Sequence, residues 1–314
     1  MNPIKKLIII ILMAAVCCSL FNFFVQRGLK KYSIHTNKRL SELFNNKTPY
    51  DIIFIGSSRT HTGINPKIID SICKVNSYNF GIEGGNLLEF YYIFKSYFEN
   101  HPPPRCLVLT LDLYSFNLER KFFNHTIYLN YTNNSVVKQM LDENGHSTIP
   151  FKLIPFLLLT EQDDYAKGNA FKGYSGITDI PPGESAYKGF MTNSNNVINT
   201  KTAEIKALYS EEVDTLAVDY LDKIVAICKE KNIQLIFTYA PEFKFGLQRP
   251  CVNAKAIFDI INGVAINNNI GFFRDDSLKI CNNPNLFANI GHLNSSGANV
   301  YSALLAKELN TVIK

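Results

Sequence analysis

Tryptophan is absent from this 314-residue chain and methionine occurs only four times, so ring packing falls to 23 Phe and 16 Tyr. The 32 Lys and Arg are scattered and the net charge is +5. Nucleic acid is therefore excluded as a partner, since its binding needs clustered cations. The seven cysteines include no CxxC pair and no Cys/His cluster with ligand spacing, so neither a zinc site nor another metal is expected. Cys73, Cys106 and Cys228 lie in or beside apolar segments and are read as small core residues; a disulfide between Cys251 and Cys281 stays open. No glycine run packs around a phosphate: Gly56-Ser-Ser-Arg59 is too poor in glycine, which weakens a nucleotide-binding reading. A second long apolar run is also missing, because residues 149–159 are broken by Pro150, Lys152 and Pro155. That stretch is expected to bury against the core, the alternative being that it rests on a membrane surface.

The one long apolar run is Leu7–Val25, 19 residues without a charge. As a helix it spans about 28 Å, close to the hydrocarbon thickness of a bilayer. A cleaved signal peptide would end in a small-x-small site, and Phe21-Asn-Phe-Phe-Val25 offers none. The reading is an uncleaved signal anchor, single-pass, with the main domain on the extracytoplasmic side. Lys5 and Lys6 favour that orientation, although Arg27, Lys30 and Lys31 load the other flank. Residues 1–31 are thus the anchor with its flanks and 32–50 a juxtamembrane linker. Residues 51–314 form one domain, with an insertion or cap at about 113–200.

Within that domain short apolar runs alternate with helical patterns. Strands are predicted at 51–55, 77–80, 106–111, 233–239 and 270–273, and helices at 66–72, 87–98, 254–267 and after Ser295 or Ser296 as cap. Spacing of apolar residues from 203 to 227 predicts one long helix or two in succession. Continuous apolar strands such as Cys106–Leu111 suit a parallel sheet covered on both faces.

The chemistry centres on Asp51-Ile-Ile-Phe-Ile-Gly56-Ser57-Ser58-Arg59-Thr60-His61, which reads as strand, tight turn and helix start. A serine hydroxyl there needs an imidazole to take its proton. His292, in Asn289-Ile-Gly-His292-Leu-Asn-Ser-Ser-Gly297-Ala298, precedes the last helix among small and polar residues; His61 is read as a surface loop residue. The residues alone leave two readings: a Ser58–His292 pair, or a strand-closing Gly56 with a solvated His292.

These two blocks resemble those of the SGNH (GDSL-like) hydrolase superfamily over about residues 50–310. The resemblance is greatest to the branch with Gly-Ser-Ser in place of Gly-Asp-Ser, which includes membrane-anchored proteins that acylate cell-surface polymers. The resemblance implies a three-layer α/β/α sandwich with a parallel sheet of about five strands, preceded here by one transmembrane helix. It implies Ser58 as nucleophile, His292 as proton relay and Asn289 at the position where the family usually has Asp. Gly81, in Asn79-Phe80-Gly81, matches the family's glycine oxyanion donor beside the Ser58 N–H. The asparagine donor has no counterpart after the third strand, where the chain reads Leu111-Asp112-Leu113-Tyr114. Arg59 is expected to hold an anionic group or to pair with Asp112. Asn289 brings no charge to the imidazole, so Asp275 or Asp276 is an alternative source. The implied activity is ester hydrolysis or O-acyl transfer on an acylated, typically O-acetylated, envelope glycan or polymer. No cofactor is needed, and a membrane-bound acyltransferase is a possible partner. The competing implication is a degenerate site kept for binding or assembly of envelope polysaccharide.

Overall fold

Ile52–Ile55 (β1) is a run of β-branched and aromatic residues with every side chain buried, as a strand covered on both faces requires. It is flanked by Ser77–Asn79 (β2) on one side and Cys106–Thr110 (β3) on the other, with Gln234–Tyr239 (β4) and Gly271–Arg274 (β5) beyond. All four pairings are parallel and the order is β2-β1-β3-β4-β5. The computed structural model describes residues 2–32, 35–118, 122, 125–161, 164–176, 186–192, 196–199, 209–244 and 251–313.

The helices of the sheet are Ser58–Gly63 (α1), Pro66–Cys73 (α2), Leu87–Tyr97 (α3), Thr215–Glu230 (α4), Ala254–Asn267 (α5) and Ser295–Val312 (α6). Alternation along the strands sends Ile52, Phe54, Val108 and Ile236 into one core with Ile69 of α2 and Tyr301, Leu305 and Leu309 of α6. On the same strands Ile53, Ile55, Leu107, Leu109 and Phe237 are equally buried. Beyond the sheet, α3 packs on α4 through Tyr91 and Tyr220, whose ring centres are 5.4 Å apart. The result is a mixed α/β fold with a five-stranded parallel sheet flanked by helices.

Several sequence expectations shift. Asn294 caps α6, its Oδ1 accepting from Gly297 N at 3.0 Å, so the cap lies one residue before Ser295. The helix expected from Ala203 begins at Thr215, behind an Asp214 cap, and residues 201–208 lie outside the described residues. All seven cysteines are free; Cys251 is half-buried and Cys281 buried, and no disulfide joins them.

By contacts the chain divides into two compact units, Met1–Ser41 with Asn124–Asp179, and Glu42–Phe123 with Ile180–Lys314. The sheet belongs to the second. In the first, the helix Pro3–Lys31 has a mean hydropathy of 2.7 over its best 18 residues, long and apolar enough to cross a membrane by length and composition. Burial of the 149–159 stretch is only partly realised: Leu158 is buried, whereas Ile149, Leu153 and Ile154 are exposed.

Candidate active site

In the order β2-β1-β3-β4-β5 the connections run to opposite sides of β1, so a crevice opens between the carboxyl ends of β1 and β3. The turn after β1 is tight. A Cβ on Gly56 would fall 2.9 Å from Thr110 Cβ and O, and closer still to Thr60 Oγ1, so only glycine fits. Ser57 caps α1, its Oγ accepting from Arg59 N at 3.2 Å while donating to Asp112 Oδ2. Ser58 is the first residue of α1, where backbone N–H groups have no intrahelical partner.

Ser58 Oγ lies 2.8 Å from His292 Nε2, across 234 residues of chain. The imidazole's other nitrogen, Nδ1, is 3.0 Å from Asn289 Oδ1. That same oxygen accepts from the Gly291 and His292 backbone N–H groups, both at 3.0 Å. Two backbone donors can only face an oxygen, so the amide orientation is settled, and Nδ1 is the protonated nitrogen. Nε2 then carries the lone pair and faces the Ser58 hydroxyl. Burial lowers the His292 pKa from its ordinary value and Arg59 lowers it further, against the pull of Asp112, Glu83 and Glu242.

Arg59 is 6% exposed and belongs to a buried ionic cluster. Its Nη1 meets Asp112 Oδ1 at 2.6 Å and Glu242 Oε1 at 2.8 Å, and its Nη2 donates to the Ala240 carbonyl. The guanidinium also stacks 4.6 Å from the Tyr239 ring centre, and Tyr239 donates to Glu242 at 2.7 Å. Burial works against the charge of Arg59, but Asp112 and then Glu242 outweigh it and raise its pKa above the ordinary value. Of the two expected roles for Arg59, pairing with Asp112 is the one realised.

Other expectations are corrected. The Gly81 N–H donates to Asn79 Oδ1 at 2.9 Å, so it is committed within the fold and does not point into a vacant oxyanion position. The need for glycine there is steric, since a Cβ would fall 2.5 Å from His61 N. His61 is no surface residue: it is fully buried in α1, 3.4 Å from Glu83. Asp275 is turned to Tyr301, whose hydroxyl donates to it at 2.8 Å, and Asp276 pairs with Arg274. The group at His292 Nδ1 is Asn289.

Sequence reasoning passed over Tyr114, Tyr239 and Glu242. Tyr114 sits two residues after Asp112, on a short 3₁₀ turn, with Asp112, Arg59, Ser57 and Ser58 among the groups that act on its hydroxyl. Burial and then Asp112 raise its pKa above the ordinary range, so it is an O–H donor at neutral pH. Their only signal in the sequence was position, at or within four residues of the carboxyl ends of two neighbouring apolar strands. Among the described residues no group of three or more His, Cys, Asp or Glu is placed to hold a metal ion.

No family model and no curated protein matches the chain. Among solved structures it is similar to a proposed acylhydrolase from Bacteroides fragilis, at 13% identity and TM-score 0.42, over 89% of this chain and 95% of that one. It is also similar to a lipase/acylhydrolase from Enterococcus faecalis, at 13% identity and TM-score 0.38, over 84% and 96%. A third is an acetyl xylan esterase from Butyrivibrio proteoclasticus, at 10% identity and TM-score 0.33, over 85% and 64%. Likenesses at this level assign neither activity nor substrate.

Proposed function

We propose that the protein is a serine-dependent ester hydrolase or O-acyltransferase. The observation that carries this reading is the Ser58 Oγ–His292 Nε2 distance of 2.8 Å, with Nδ1 held by Asn289 Oδ1 at 3.0 Å. Ser58 Oγ attacks the ester carbonyl while its proton passes to Nε2. The tetrahedral oxyanion is met by the Ser58 N–H, the backbone donor at the start of α1. Nε2–H then protonates the departing alcohol, leaving an acyl-enzyme. Water or a sugar hydroxyl, deprotonated by the same nitrogen, takes the acyl group and frees Ser58. Asn289 fixes tautomer and orientation but lends the imidazolium no charge, so turnover is expected to be slow beside an aspartate-supported site.

On this reading the helix Pro3–Lys31 is a single-pass anchor, the domain works on the extracytoplasmic side, and the substrate is an acylated, typically O-acetylated, envelope glycan or polymer. A membrane-bound acyltransferase is then a natural source of acyl groups. The second reading, a binding or assembly protein with a degenerate site, is favoured by one feature: the group on Nδ1 is neutral and exposed.

Labelling of the full chain in detergent with a fluorophosphonate, read by intact mass, separates the two. One adduct is expected, absent from Ser58→Ala and His292→Ala. A folded wild-type protein that takes no adduct moves the assignment to binding.

A further inference from the structure

The apolar side chains of the first unit are divided between an inside and an outside. Inside, Val25 and Leu29 of the N-terminal helix bury against Ala170, with Leu159 packed on them. The helix Asp164–Ser175 approaches so closely that a Cβ on Gly28 would fall 2.8 Å from the Ala170 carbonyl carbon, and one on Gly173 would fall 2.8 Å from Tyr32 N. The Tyr174 hydroxyl closes the contact by donating to the Phe24 carbonyl at 2.9 Å. The turn Pro155–Leu157 packs on the N-terminal helix as well. Residues 155–157 and 164–175 therefore pack on the N-terminal helix, and Ile149–Leu153 packs on the 155–157 turn.

Outside, Ile149 is 60% exposed, Leu153 74%, Ile154 43% and Phe171 64%. Single exposed apolar residues are ordinary, but four large ones on segments clamped to one helix end are not. On the N-terminal helix itself Phe23 and Phe24 are exposed as well, by 57% and 55%. Cations and aromatic rings stand beside it: Lys30 lies 5.4 Å from the Tyr131 ring centre and Lys31 lies 5.0 Å from that of Tyr174. Apolar residues next to a span, bordered by Tyr and Lys, have the chemistry of the headgroup boundary, where amphipathic rings and ammonium groups settle.

We propose that Ile149, Leu153, Ile154 and Phe171 form a membrane-seating face that enters the lipid interface beside the N-terminal helix. The occupant is a bilayer, because the segments that carry the face pack, directly or through the 155–157 turn, on a helix long and apolar enough to cross one. This rests on the reading of that helix as a membrane span. The seat fixes the unit against the membrane at two places, where a lone helix would leave it free to swing.

The absence of tryptophan makes the test direct, since an introduced Trp is the only one in the chain. Full-length Leu153→Trp, Phe23→Trp and Val300→Trp proteins are reconstituted in phosphatidylcholine–phosphatidylglycerol vesicles. The lipids carry bromine either near the headgroup end of the acyl chain or near its tip. At position 153, blue-shifted emission, roughly halved by the shallow bromines and less by the deep ones, is expected; at position 300, in the other unit, no quenching is. Quenching at 23 with none at 153 overturns the seat and leaves the span intact. No quenching at either removes the span and the seat together. A blue shift at 153 that tracks protein concentration and ignores bromine assigns the face to a second copy and likewise overturns it.

Discussion

Ser58 sits on a turn whose neighbouring side chains are buried, with Ser57 and Arg59 both bonded to Asp112. His292, by contrast, sits on a loop held by backbone bonds, such as Ala288 N to His292 O at 2.9 Å, and by the Asn289 side chain. In the first region Ser57, Thr60 and His61 are wholly buried, and Asp112 takes both the Ser57 hydroxyl and the Arg59 guanidinium. In the second, an exposed Asn289 gathers the Gly291, His292 and Nδ1 hydrogens onto Oδ1. The energetics differ accordingly. Removing one partner of a buried pair leaves an uncompensated charge and costs roughly 3–5 kcal/mol, whereas neutral hydrogen bonds near solvent are worth about 1 kcal/mol each. The nucleophile's position is therefore tied to the stability of the fold, and the imidazole's orientation to one replaceable residue.

The largest effect is expected where that contrast is sharpest. Arg59→Ala leaves Asp112 buried with only hydroxyl and amide partners, and should lower unfolding free energy by roughly 3–5 kcal/mol in urea titrations. Asn289→Ala should cost only about 1 kcal/mol in the same assay while disordering the base. Equal losses would break the comparison.

Asn289→Asp sharpens it from the chemical side. The carboxylate keeps both backbone donors and adds a charge beside the imidazole, raising the His292 pKa. A hydrogen bond to a charged group is worth about 1 kcal/mol more than a neutral one, roughly fivefold in acylation rate if fully expressed in the transition state. Stopped-flow acylation with a p-nitrophenyl ester measures it; a slower variant would mean that Asn289 serves geometry alone.

Smaller is the pH effect in the wild-type protein. Burial and Arg59 lower the His292 pKa below its ordinary 6.5, so the neutral, proton-accepting form persists into mildly acidic solution. The acidic limb of kcat/KM should have its midpoint below pH 6.5 and move upward in Asn289→Asp. A midpoint above 6.5 in the wild type would show that the carboxylates outweigh burial and Arg59.

A further pH effect, on stability, lies away from the site. Burial, then Glu308, raises Asp275 from 3.8 to about 7. The native state thus holds a proton that the unfolded chain releases between those values, and stability falls as pH rises from about 4 to 7. Asp275→Asn, able to keep the Tyr301 hydrogen bond, should flatten that slope in denaturant titrations at several pH values.

Much of the frame was legible because it depends on local pattern. Continuous apolar runs ending in polar turns marked β1, β3 and β4 within one residue, since a strand buried on both faces admits little else. The cap of α6 was missed by one residue because Asn294, Ser295 and Ser296 all suit that position, and only the packed helix axis selects among them. His61 was misplaced because a histidine among threonines looks solvated until the turn drives it under the sheet edge. Tyr114 was invisible because a tyrosine after a strand is ordinary unless the turn after another strand brings two serines near it.

The sequence by itself determined the α/β alternation, the long apolar N-terminal helix, and Ser58 and His292 as the residues worth bringing together. Each follows from the period of apolar residues or from the short-range chemistry of a turn. Only the tertiary structure decided that His292 returns to Ser58 from 234 positions away, that Arg59 spends its charge on Asp112 and Glu242, and that the Gly81 N–H is taken by Asn79. Those outcomes depend on which donor meets which acceptor across a sheet, and a buried polar group takes whatever partner the packing delivers.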